Sequence, residues 1–161
     1  MIPYLEFIFM LLHIIGLMIF GGGHIWFAVL TTKAKNNPGN PLPPLISENL
    51  PAISHLMEIG ILLLFISGLS RLILWSDPGI IFLPQPYGWI MLAKIILYII
   101  IVINGIFIQK ECIPLIIGDR SKATPHDSHR AWIKFKTLAK INLLLVMVIV
   151  ALGETLSLSN I

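Results

Sequence analysis

The chain has 161 residues, of which 57% are hydrophobic and 12% charged, with a net charge of +3 and one cysteine; its mean hydropathy is +0.90. Soluble domains carry about 45–50% apolar and about 25% charged residues, so this composition excludes an ordinary water-soluble domain. One cysteine excludes an internal disulfide framework, and a small positive charge carried in loops beside apolar stretches is a topology signal rather than a nucleic-acid surface.

The first apolar stretch, about Leu5–Leu30, has no Asp, Glu, Lys or Arg from Phe7 onward. It is preceded by Glu6 rather than by a basic n-region, so it reads as a retained helix and not as a signal peptide. Roughly 20 apolar residues cross the ~30 Å hydrocarbon core. About Leu50–Trp75, Tyr87–Ile108 and Thr137–Leu158 meet the same requirement. The connection Thr31–Asn49 contains Asn36-Asn37-Pro38-Gly39-Asn40 and four residues ending at Pro44, dense loop punctuation. The second helix is expected to start near Ser47 or Pro51, a cap and a first-turn proline.

In the second connection, Asp77-Pro78-Gly79 signals a turn, and Ile80–Leu83 is too short to span. That tetrapeptide is expected at the interface, with Trp75, Tyr87 and Trp89 as belt aromatics. The third connection, Gln109–Lys136, is the most polar part of the chain, with Lys110, Arg120, Lys122, Arg130, Lys134 and Lys136 against Glu111, Asp119 and Asp127. The positive-inside rule makes it cytoplasmic and leaves both termini outside. The expected fold is all-α: residues 1–161 as one antiparallel bundle of four transmembrane helices, in a bacterial or archaeal inner membrane.

Ionisable groups inside a membrane are costly and mark function or pairing. Here they are His13, His24, His55, Glu58, Arg71, Lys94, Lys140 and Glu154. Arg71 and Lys140, near helix ends, read as snorkelling anchors. His24 and His55 fall at matched depth on consecutive antiparallel helices, the arrangement bis-imidazole haem ligation needs. His13 lies eleven residues before His24, about 20° round the helix and ~16 Å along it. One iron cannot bind both, but two stacked cofactors could, with Lys94 at the depth of His13 to meet a haem propionate, or Met91 as a partner.

Glu58, three residues after His55, is placed to accept its proton or to sit beside a quinone. His-x-x-Glu is also half of a di-iron pattern, which needs more carboxylates than this chain offers. The plain alternative is that each histidine bonds a neighbouring carbonyl or serine. His126 and His129 read as solvated loop residues, and Cys112 as a structural thiol. Gly16, Gly21-Gly22-Gly23, Gly60, Gly68 and Gly105 serve either close helix contact or space for a flat ligand.

Leu12-His13-Ile14-Ile15-Gly16 with Phe20-Gly21-Gly22 resembles the first-helix pattern of the CopD-like and HemJ-like membrane proteins. Ile66-Ser67-Gly68-Leu69 resembles the end of their second helix, and Gly88-Trp89-Ile90-Met91-Leu92-Ala93-Lys94 the start of their third. The resemblance implies a haem-associated four-helix protein with His13 and Lys94 as shared functional positions, and either protoporphyrinogen oxidase activity or copper uptake. The chain departs from the pattern in lacking a proline-containing fourth helix and an arginine after the first, and in adding His24 and His55.

These readings converge on a haem b protein, with one or two haems, that transfers electrons beside other membrane or periplasmic redox subunits and possible quinone. His24, His55 and His13 are its expected iron ligands, with Lys94 and Glu58 nearby. The alternatives are a porphyrinogen oxidase, a copper transporter using His13, His24, Met18 and Met57, and a non-catalytic anchor.

Overall fold

The computed structural model describes residues 2–34, 44–75, 86–117 and 125–158. They form α1 (Ile2–Ala34), α2 (Pro44–Trp75), α3 (Pro86–Phe107), a π-helical turn (Ile108–Cys112), α4 (Ile113–Ile116) and α5 (Pro125–Leu158). No strand occurs among the described residues. Four stretches are long and apolar enough to cross a membrane: Tyr4–Val29, Glu48–Leu74, Gly88–Ile116 and His126–Gly153. The protein is an all-α four-helix membrane bundle.

Proline opens three of the helices, Pro44, Pro86 and Pro125, where its missing N–H is no loss and its fixed φ suits the first turn. The second helix therefore begins at Pro44, and Pro51 sits inside it, not at its start. The polar connection expected over 109–136 is mostly helical. Its first part continues α3 through the π turn, where the Ile113 N–H reaches back five residues to the Ile108 carbonyl. Pro114 lies just beyond, and a proline cannot donate to the helix and crowds the preceding turn. The wider turn before it accommodates that ring.

The second part, 125–136, is the opening of α5. Its charge hid an amphipathic helix: Ala131, Phe135, Ala139 and Asn142 form a buried stripe at spacings of four and three, while Arg130 and Lys134 face outward. His126 and His129 are accordingly exposed residues of the first helical turns rather than of a loop. Residues 35–43, 76–85 and 118–124 fall outside the described residues, and with them the expected interfacial segment Ile80–Leu83. Trp89 is exposed, as a belt aromatic would be.

α1 packs most extensively on α2, then on α5, and α5 packs in turn on α3. The α2–α3 side closes the ring most loosely. There Tyr98 Oη donates to the Ile61 carbonyl at 3.0 Å and its ring stacks on Phe65. The outward faces are almost wholly apolar: Met18, Val29, Ile59, Leu62, Ile103, Leu144 and Met147 are all exposed. Buried polar side chains are few among the described residues, namely His24, Ser67 and Asn142. Apolar outside and sparse polarity inside is the distribution a bilayer selects.

The glycines divide between both expected roles. A Cβ on Gly16 would lie 2.9 Å from the Gly60 carbonyl oxygen, and one on Gly60 would lie 3.0 Å from the Phe20 nitrogen. These two let α1 and α2 touch backbone to backbone. Gly23 gives way to Met57 in the same seam, whose Cγ would lie 2.6 Å from a Cβ. Around Gly105 nothing lies within 4 Å of where a Cβ would be.

Candidate functional site

The space beside Gly105 belongs to a half-open cavity of about 460 Å³ between the helices. All four long helices line it: Phe20, His24 and Phe27 from α1; Ser54, Met57, Glu58 and Phe65 from α2; Tyr98 and Gly105 from α3; Phe135 and Asn142 from α5. The π turn adds Gln109. Aromatic contacts stiffen the wall, with Phe27 edge-on to Phe135 at 5.0 Å and Trp132 stacked on Phe135 at 5.4 Å. Asn142 accepts from Asn104 Nδ2 at 3.0 Å, which fixes its amide. The volume lies within the roughly 300–1,000 Å³ of small-molecule and cofactor pockets.

His24 is the buried histidine of this cavity. Its Nδ1 lies 2.9 Å from the Phe20 carbonyl oxygen, one turn back on α1. A carbonyl only accepts, so Nδ1 carries the proton and Nε2 is left with its lone pair. Among the described residues Nε2 has no hydrogen-bond partner. The Phe20 ring meets the imidazole edge-on at 4.4 Å and holds its plane. A backbone-anchored Nδ1–H with a bare Nε2 is the tautomer and support that metal-bound histidines use.

His55 does not join it. The side chain of His55 is 69% exposed and that of Glu58 50%, and the two pair at 3.1 Å between Nδ1 and Oε2. The matched depth of His24 and His55 is therefore not matched in direction. Met57 is the residue of α2 that packs on α1, and His55, two residues earlier, is turned by about 200° from it. In this structure His55 faces outward, apart from the cavity that His24 lines. Glu58 takes both parts, since it pairs with His55 and also lines the cavity.

His13 occupies a second polar locus, in the first half of α1. Its Nδ1 lies 2.9 Å from Ser67 Oγ. Ser67 in turn donates its one proton to the Leu63 carbonyl at 2.7 Å, with Leu64 at 3.2 Å. The serine oxygen must then accept from His13 Nδ1–H, which again leaves Nε2 bare. Arg71 and Lys94 both lie within electrostatic reach of this imidazole. A Cβ on Gly153 of α5 would lie 3.4 Å from Lys94 Nζ, so four helices meet here.

Arg71 is thus more than the anchor its position near a helix end indicated. The sequence assigns Arg71 only an anchoring role and names Ser67 only within a short motif, so the partnership of Ser67 with His13 is missed there. Their signal was the stripe Met57, Gly60, Leu64, Ser67, Arg71 on α2, at spacings of three and four. Met91 is half-buried on α3 and is not part of the cavity wall. Cys112 is buried and free. Among the described residues no group of three or more His, Cys, Asp or Glu side chains converges on one point, so the di-iron pattern has no counterpart there.

Comparison with protein-family models, with curated proteins and with solved structures returns no match.

Proposed function

We propose that the chain is a membrane-embedded b-type haem protein that carries electrons, with His24 as the axial ligand. The observation that carries this reading is the His24 imidazole, whose Nδ1–H is tied to the Phe20 carbonyl beside a cavity lined largely by aromatic and aliphatic side chains. The residues fit the group. The aromatic rings offer apolar walls to a flat macrocycle, and the missing side chain at Gly105 leaves room along α3. Haem would supply a one-electron couple at its iron.

This chain's own residues do the rest. Phe20 fixes the tautomer and plane of His24, Phe27 and Phe135 exclude water, and Tyr98 ties α2 to α3 across the looser side of the ring. The His55–Glu58 pair offers the way outward. Glu58 borders both the cavity and the exposed flank of α2, where a quinone or a further redox subunit would approach. The resemblance to CopD-like and HemJ-like proteins agrees with a haem-associated bundle. The copper reading is weaker here, because Met18 is 70% exposed and His13 lies apart from the cavity that His24 and Met57 line.

Purified protein from cells supplied with haem precursors should give a reduced-minus-oxidised b-type spectrum and a pyridine haemochrome. His24→Ala should lose both, and His55→Ala should keep them. Absence of haem in the parent protein, or its retention in His24→Ala, refutes the reading. Loss in both variants would restore the bis-histidine arrangement.

A further inference from the structure

We infer that the cavity opens sideways, between α2 and α3, onto the hydrocarbon of the bilayer, and that its ligand enters from the membrane rather than from water. The wall is closed on one side and open on the other. Its α1 and α5 residues Phe20, His24, Phe27, Phe135, Ala139 and Asn142 are all buried. Its exposed residues are Glu58, Leu62 and Phe65 on α2 and Ile106 on α3. Exposed wall residues mark where a cavity meets its surroundings, so the mouth lies in the α2–α3 gap. Its depth names those surroundings. Leu62 lies 14 residues from Glu48 and 12 from Leu74, and Ile106 lies 18 from Gly88 and 10 from Ile116, the ends of their spans. At 1.5 Å per residue each is about 15 Å or more from either end, the half-thickness of a ~30 Å hydrocarbon core.

A mouth at that depth admits what dissolves in lipid, so the occupant has a largely apolar body. The closed end of the cavity sets what its polar part must offer. His24 keeps the Nε2 lone pair. Asn142 Oδ1 accepts from Asn104 Nδ2 at 3.0 Å, and among the described residues the Asn142 Nδ2 has no acceptor. His24 is 2% exposed and Asn142 1%, so bulk solvent satisfies neither. A buried donor without an acceptor is costly. An amphiphile that brings one acceptor for Asn142 and one electron-poor centre for His24 satisfies both. The route stands on the cavity alone; that the amphiphile is haem rests on the reading proposed above.

The test places a nitroxide at Val102→Cys or Gly105→Cys, both on the wall, in full-length protein whose single cysteine is removed by Cys112→Ala. In phosphatidylcholine vesicles its collisions are counted with oxygen, which dissolves in lipid, and with a water-soluble nickel chelate. Labels at exposed Ile103→Cys and buried Ile101→Cys set the two limits. Both wall labels should meet oxygen about as often as Ile103→Cys and the chelate rarely. Leu62→Trp/Ile106→Trp, which narrows the mouth, should bring oxygen collisions down towards the Ile101→Cys limit. Chelate collisions outnumbering oxygen, both staying at the buried limit, or no effect of the two tryptophans each overturns the inference. A second arm follows haem moving between loaded vesicles and the protein. The tryptophan pair should slow uptake and release alike by at least about tenfold, a rise of ~1.4 kcal/mol in the entry barrier. Faster release would mean weaker binding instead of a narrower route, and would overturn it. A parent that takes up no haem refutes the haem reading, while the oxygen measurement still decides the opening.

Discussion

Two glycine-to-alanine substitutions should move stability in opposite directions, although the chemical change is the same. At Gly16 the new methyl would meet three atoms of α2, the Gly60 carbonyl oxygen at 2.9 Å, Leu64 Cγ at 3.0 Å and Leu63 Cβ at 3.1 Å. One of these is backbone and cannot rotate away, so α1 and α2 must separate. Overpacking of this kind costs about 1–3 kcal/mol. At Gly105 the methyl enters open space beside the cavity. With no atom within 4 Å the methyl makes no packing contact, so its gain is at most about 0.8 kcal/mol, the value for a fully buried carbon. Alanine's helix-propensity gain applies at both sites and cancels in the comparison.

The two variants should therefore differ by about 1–4 kcal/mol, from the overpacking and methyl terms together. For a chain of this size a kilocalorie shifts the midpoint by roughly 2–4 °C. Gly16→Ala should then melt about 2–15 °C below Gly105→Ala in the same detergent. Equal midpoints, or Gly105→Ala the lower, would refute the assignment of one glycine to helix contact and the other to ligand space.

Gly105→Phe should fill the cavity and abolish the haem spectrum while the melting point of the ligand-free protein holds or rises; a normal spectrum in this variant would mean the cavity is not the haem site. Ser67→Ala should cost about 1–3 kcal/mol, because His13 Nδ1–H loses its acceptor in a dry interior; the check is thermal melting, and Ser67→Thr, which keeps the hydroxyl, should recover most of the loss.

The four spans were legible because they rest on uninterrupted apolar runs, and 57% hydrophobic residues leave little else for the chain to form. The ends of the helices were not. Residues 125–136 carry enough charge to lower the hydropathy of any window, yet Ala131 and Phe135 already fall on the buried stripe. The π turn was hidden as well, since only Pro114 hinted at it, and a proline after an apolar run reads more simply as a stop. The directions of the two histidines were hidden for a different reason. Depth follows from counting residues, whereas direction round the helix depends on which face meets the neighbour. Gly60 marks that face on α2, and His55 lies off it while Ser67 and Arg71 lie on it.

His13 and His24 are chemically alike: each gives its Nδ1 proton to an oxygen and keeps Nε2 free. Their surroundings make them different tools. A neutral imidazole with a lone pair facing an apolar, aromatic-walled hollow can offer that pair only to something electron-poor, and a haem iron meets that description. The imidazole of His13 feels the charges of Arg71 and Lys94, a field that disfavours a further cation. A cationic metal at His13 would have to overcome two nearby charges that His24 does not face. The roughly 16 Å between the two residues along α1 therefore separates two unlike surroundings, and the haem proposed at His24 has no counterpart at His13.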